Sequence, residues 1–222
     1  MDTTKVAVQI GVANGTLEGD LAMPAGVQSV VIFAHGSGSS RHSARNQHVA
    51  EQLQQAGFGT LLMDLLTPAE ESVDVYTREH RFDIPLLASR VVLATDWLRD
   101  QPQYGSLKIG YFGASTGAAA ALVAAAERSE VAAVVSRGGR PDLAGDSLRL
   151  LKTPTLLIVG GDDTEVIALN RAAYDQMSCE KRLEIVAGAS HLFEEPGTLE
   201  QVARLATEWF GTRLPIEGMR AA

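Results

Sequence analysis

Ser115, in the pentapeptide Gly113-Ala114-Ser115-Thr116-Gly117, is the residue of this chain best placed to act as a nucleophile. The apolar run Leu107–Phe112 precedes it and the alanine-rich stretch Ala118–Ala126 follows it. A G-x-S-x-G match alone carries little information, but between a strand and a helix it reads as a nucleophile elbow. The turn strains the serine backbone and tolerates only small residues two positions away, a demand that Gly113 and Gly117 meet. It lifts Oγ out at the carboxyl edge of a sheet, and the next helix aims its first amides at a developing oxyanion.

A serine hydroxyl needs a base to take its proton and an acid to hold that base. Asp162-Asp163 follow the apolar run Thr155–Val159 through Gly160-Gly161, and His191 follows Leu183–Val186 through Gly188-Ala189-Ser190. In a parallel sheet both loops fall on the edge that carries Ser115. His191 would accept the Ser115 proton and return it to the leaving group, with an aspartate fixing its tautomer. Taken singly, a histidine in a Gly/Ser loop is a surface residue and paired aspartates after a strand are a helix cap. Their joint placement, in the order Ser, Asp, His, favours the catalytic reading; either Asp162 or Asp163 fits it.

His35-Gly36-Ser37-Gly38 follows the run Val30–Ala34. Such a loop lets a backbone amide approach an oxyanion, and the expected donors are the amides of Ser37 and Thr116. The plain alternative is a left-handed turn, which also wants glycine. His35 reads as a structural hydrogen-bonding residue rather than a second base. Arg41, Arg45, Arg78, Arg81 and Arg137 gather near the same edge. Surface salt bridges are their ordinary role, and a contact to a substrate carboxylate is the other.

The supporting elements follow from periodicity. Val6, Val8 and Ile10 alternate with polar or small residues, as does Thr16–Ala22, and Asn14-Gly15 between them suits a tight hairpin turn. Val30–Ala34 and Phe58–Met63 are continuous apolar strands, joined by a helix from about Ser43 that Gly57 closes. Leu65–Arg81 reads as a long loop covering the site. Asp83 caps a helix with Pro85 in its first turn. Val131–Val135, Pro154–Val159 and Arg182–Val186 are strands; Pro141–Leu151, Glu165–Met177 and Thr198–Phe210 are helices. The alternation implies a mostly parallel sheet with helices on both faces. Only a short helix fits between Ser136 and Thr155, which leaves no room for a cap domain. No linker or repeat divides residues 1–222, so a single domain is expected.

Composition bounds the alternatives. With 222 residues and 45% hydrophobic side chains, the chain buries a large core without staples. A net charge of −8 and the lack of a basic cluster argue against nucleic acid or an anionic membrane as partner. The single Cys179 cannot form an intrachain bridge. No apolar stretch approaches the roughly 20 residues that span a bilayer, and the opening residues lack a signal core. A cytoplasmic protein acting on a small molecule, without metal or cofactor, is expected.

The His35-Gly36-Ser37-Gly38 loop, the Ser115 elbow, the segment Gly160–Val166 and His191 together resemble the α/β-hydrolase superfamily. Val6–Phe210 fits its eight-stranded core without a cap, and the small form is similar to the dienelactone hydrolase family. In that family the acid lies in a G-x-x-D-x-x-V pattern, matched by Gly160, Asp163 and Val166, so the resemblance implies Asp163. The founding enzyme carries cysteine where Ser115 stands. The implied activity is a serine hydrolase cleaving carboxylic esters or lactones through an acyl-enzyme. Acyl transfer or thioester cleavage would use the same triad, and a non-catalytic ligand-binding protein is the reading from another class.

Overall fold

The computed structural model describes residues 2–216; Met1 and residues 217–222, the ends of the expected domain, lie outside the described residues. β1 (Thr3–Val12) and β2 (Gly15–Pro24) form the opening hairpin. Its turn sits at Ala13-Asn14, one residue earlier than the expected Asn14-Gly15, and neither turn residue has positive φ. Register explains the shift. The strands pair Ile10 with Leu17, both buried, and a slip of one residue would turn that pair to the other face. Core burial outweighs the preference of the Asn-Gly dipeptide.

β3 (Ser29–Ala34), β4 (Gly59–Met63), β5 (Lys108–Ala114), β6 (Val131–Arg137), β7 (Thr155–Gly160) and β8 (Lys181–Val186) run parallel and complete an eight-stranded sheet. Its order is β1-β2-β4-β3-β5-β6-β7-β8, with β2 antiparallel to β4. β3 is the switch point: the chain leaves it towards β4 on one side and β5 lies on the other. Loops diverging there open a crevice at the carboxyl edge. At the far border, β8 carries Lys181, Arg182 and Glu184, charges that discourage pairing with another strand.

Helices cover both faces. α1 (Ala44–Gln55) and α7 (Thr198–Gly211) pack on one side against Val31, Phe33, Phe112 and Val135. On the other side, α3 (Ile84–Asp100), α4 (Thr116–Glu127), α5 (Ser147–Leu150) and α6 (Thr164–Gln176) meet Val30, Ile32, Tyr111 and Val134. Alternate residues of β3 and β5 thus serve opposite cores, the two-sided burial that makes central parallel strands continuously apolar. Ala118–Ala121 are wholly buried in α4, whose small side chains let it lie close to the sheet beneath the elbow.

Two further expectations need correction. Residues 65–81 are not a loop, because α2 (Pro68–Thr77) occupies most of them. Thr67 accepts from Glu70 N at 3.2 Å while the Glu70 carboxylate accepts from Thr67 N at 2.8 Å, a complete capping box with proline in the first turn. The helix shows little periodicity because Val73, Val75 and Tyr76 face outwards. Pro141–Leu151 is also not one helix. Gly145, at φ 54°, separates a 3-10 turn (Pro141–Ala144) from α5. These short turns are all that separates β6 from β7, so no cap domain is inserted. Among the described residues no helix is long and apolar enough to cross a membrane.

Candidate active site

Ser115 joins β5 to α4 at φ 51° and ψ −122°. Only three non-glycine residues among those described have positive φ: Arg78, Ser115 and Phe193. Such a conformation costs on the order of 1–3 kcal/mol and survives only where the surroundings fix it. Here they do. Ser115 N donates to Arg137 O at 3.3 Å, and Ser115 O accepts from Ala118 N and Arg140 N, each at 3.1 Å. A Cβ on Gly113 would lie 2.4 Å from Ala118 Cα, and one on Gly117 would lie 2.3 Å from the carbonyl oxygens of Ala34 and His35. Both glycines are therefore required by close approach.

Asp163 and His191 come from the ends of β7 and β8. A Cβ on Gly160 would strike Ala189 O at 2.4 Å, so glycine lets the two loops touch. Asp163 occupies the N-cap position of α6 but makes no capping bond. Its Oδ2 instead lies 2.6 Å from His191 Nδ1. Asp162 is exposed and contributes its amide to Ala189 O at 3.0 Å. With Nδ1–H donating to Asp163, His191 Nε2 is left as the basic nitrogen. The imidazole is 39% exposed, open to a ligand from the solvent side. Ser115 and His191 share a neighbour, the Gly138–Arg140 segment: Arg140 N reaches Ser115 O, and a Cβ on Gly138 would lie 3.7 Å from His191 Cε1. No hydrogen bond joins Ser115 Oγ to His191 among the described residues.

The loop after β3 leans on the serine, since a Cβ on Gly36 would lie 3.0 Å from Ser115 Cβ. His35 has both ring nitrogens in use. Nε2 accepts from Leu65 N at 3.1 Å, which places the proton on Nδ1, 2.9 Å from Gly36 O. Burial pushes its pKa down, so it is neutral and structural, as expected. Ser37 N donates to Thr116 Oγ1 at 2.8 Å. Thr116 opens α4, where its own amide lacks an intrahelical acceptor.

The arginines divide. Arg41 bridges Glu18 at 2.6 Å, Asp20 at 3.5 Å and Asp64. Arg81 bridges Asp74 at 2.6 Å, and its guanidinium rests against Gly38. Arg78 is exposed at the end of α2, without an ion pair among the described residues. Arg45 has a 3.4 Å contact to Glu194. Arg137 departs from the surface-bridge expectation, being 7% exposed and without a carboxylate partner among the described residues.

Several contributors were not foreseen. Phe193, buried at φ 56°, sets the path of the chain after His191, and its ring packs near Gly138. Glu195 accepts from Ser190 N at 2.9 Å and braces the same loop. Asn170 donates to Gly139 O at 3.0 Å. None has a local signal; each is defined by what it meets across the fold. Thr116 Oγ1 was also missed, although a hydroxyl directly after the nucleophile is a visible cue.

Comparisons with known proteins bear on the family and the fold. A model of the Dienelactone hydrolase family matches residues 17–212. The chain belongs to the dienelactone hydrolase family. A dienelactone hydrolase crystal structure from Anabaena variabilis is 60% identical, covers 96% of this chain and 99% of its own, and superposes with a TM-score of 0.94. Est1E from Butyrivibrio proteoclasticus, 18% identical over 92% of this chain and 97% of its own, shares the fold with a TM-score of 0.77. Proteins of two Mycobacterium tuberculosis strains, named as proposed phosphoribosyl transferases, are 59% identical over 91% of this chain. The chain spans only 45% of their length. This member of the dienelactone hydrolase family carries serine at the elbow.

Proposed function

We propose that this protein is a serine hydrolase of small carboxylic esters or lactones. The observation that carries the reading is the strained Ser115 elbow sharing one sheet edge with a His191–Asp163 pair at 2.6 Å. Ser115 Oγ attacks the carbonyl carbon as His191 Nε2 takes its proton, and Asp163 stabilises the imidazolium that forms. The tetrahedral oxyanion accepts from the amide of Thr116 and from that of Ser37, taking the latter over from Thr116 Oγ1. His191 returns the proton to the leaving alkoxide. Water then attacks the acyl-enzyme with the same base, releasing the acid and restoring Ser115.

The transferase name of the Mycobacterium relatives belongs to chains more than half of which lies outside the match. Hydrolysis of p-nitrophenyl acetate and butyrate tests the proposal. Ser115→Ala is expected to abolish turnover, and Asp163→Asn to lower kcat about 10⁴-fold by losing the correct tautomer. Asp162→Asn should keep activity. Undiminished turnover by Ser115→Ala would overturn the reading.

A further inference from the structure

Two glycines draw the end of β3 and the start of α4 together. A Cβ on Gly117 would lie 2.3 Å from Ala34 O and His35 O, and one on Gly36 would lie 3.0 Å from Ser115 Cβ and 3.7 Å from Ser115 Oγ. Thr116 stands inside that contact, 3% exposed, and its side chain crosses it: Oγ1 accepts from Ser37 N at 2.8 Å. A β-branched side chain has little χ1 freedom, so the hydroxyl is held over the loop.

That hydrogen bond uses only an oxygen lone pair. The hydroxyl proton of Thr116 has no acceptor among the described residues. Inside a helix a threonine gives this proton to a carbonyl one turn back, but Thr116 is the first residue of α4 and no helical turn precedes it. Donors of an oxyanion hole stand about 2.7–3.1 Å from the developing anion. Oγ1 already lies 2.8 Å from one of them, Ser37 N, so an oxyanion reaching that amide arrives against Oγ1. Two oxygens in contact repel unless a proton lies between them, and the Thr116 hydroxyl carries one. That proton gains its acceptor as the carbonyl oxygen turns anionic, which speeds the chemical step rather than tightening the binding of the ester.

We propose that the Thr116 hydroxyl is a third oxyanion donor, a catalytic group beside the amides of Ser37 and Thr116. The assignment rests on the hydrolase reading and deepens it. In the resting enzyme the hydroxyl accepts from Ser37 N and keeps that amide aimed at the nucleophile. As Ser115 Oγ bonds to the carbonyl carbon, the C=O π pair moves onto oxygen. Ser37 N–H then turns to the oxyanion, and the Thr116 hydroxyl donates to the same atom. No proton changes owner at Thr116; the one lost by Ser115 goes to His191. When the leaving group departs and the carbonyl re-forms, the hydrogen bond between Ser37 and Thr116 returns.

The test compares Thr116→Val, which keeps the shape and removes the hydroxyl, with Thr116→Ser, which keeps the hydroxyl. On p-nitrophenyl acetate, Thr116→Val should lower kcat on the order of 10²-fold with KM little changed, and Thr116→Ser should stay within about threefold of wild type. The second readout is the matching thionoester, in which sulfur, a weak acceptor, replaces the carbonyl oxygen. The ratio of kcat/KM for ester over thionoester should fall at least about tenfold in Thr116→Val. A merely structural role would lower both rates and leave that ratio alone. If Thr116→Val does not fold by circular dichroism, Thr116→Ala carries the same prediction. Three results would overturn the third donor while leaving the hydrolase reading in place: a wild-type kcat in Thr116→Val, a lowered kcat with an unchanged ratio, or a raised kcat, the hydroxyl then only competing for the Ser37 amide. Wild-type protein that turns over neither ester, with Ser115 unlabelled by a fluorophosphonate, would reject the hydrolase reading and the third donor with it.

Discussion

The two flanks of Ser115 handle positive charge in opposite ways. On the β4 side, Arg41 meets three carboxylates, Arg81 meets Asp74, and Arg90 meets Glu70 at 2.6 Å. On the β6 side, Arg137 is as buried as Arg90, each 7% exposed, but has no carboxylate among the described residues, and Arg45 has one at 3.4 Å. Arginines of similar sequence surroundings therefore do different work. The first flank is a finished wall that fixes the His35 loop and α2. The second holds a buried guanidinium, that of Arg137, with no carboxylate against it among the described residues. Their difference separates arginines paired with carboxylates from one that is buried without such a pair among the described residues.

The largest effect should fall on the elbow that both flanks share. Gly117→Ala places a Cβ 2.3 Å from two carbonyl oxygens, and loss of soluble folded protein is the outcome expected by circular dichroism. Next, the flanks should part in stability. Asp74 is 1% exposed at its side chain, accepts from His80 N at 2.7 Å and Arg81 N at 3.0 Å, and pairs with the Arg81 guanidinium. Burial raises its carboxyl, but the hydrogen bonds from Arg81 and His80 outweigh that and hold it below the usual carboxylate range. Asp74→Ala should cost about 2–4 kcal/mol in urea unfolding, because it orphans every one of those donors. Arg137→Met should do the opposite: removing an unpaired buried cation is expected to be neutral or stabilising by about 1 kcal/mol. A loss as large as that of Asp74→Ala would mean the two flanks are alike.

The smallest effect is a pH dependence on the finished flank. His35 is neutral in the fold and its pKa lies below the ordinary value of 6.5, through burial that the hydrogen bond to Gly36 O and the neighbouring Asp64 and Glu71 only partly offset. The unfolded chain therefore takes up the proton first. His35 should contribute its full stability above about pH 6.5 and lose it progressively as pH falls towards the folded value. His35→Gln should flatten that part of the stability profile relative to wild type, as followed by denaturant midpoints.

Sheet, helices and the serine–aspartate–histidine order were readable because each is written locally: apolar runs, glycines beside tight contacts, and loops that follow strands. Phe33 and Phe112 announce buried strands wherever they are read. The 68–77 helix was missed although Thr67, Pro68 and Glu70 spell its start, because its outward valines and Tyr76 mask the periodicity. The hairpin turn was misplaced because register is decided across the strands, by Ile10 against Leu17. The isolation of Arg137 was invisible for the same reason. An arginine looks the same in sequence whether or not a carboxylate from another element reaches it.

The direct test of the central claim is reaction with a fluorophosphonate probe, read by intact mass and peptide mapping. One adduct per chain on Ser115, absent in Ser115→Ala and slowed in Asp163→Asn, is the predicted result. Folded protein that stays unlabelled, or that carries the adduct on another residue, would contradict it.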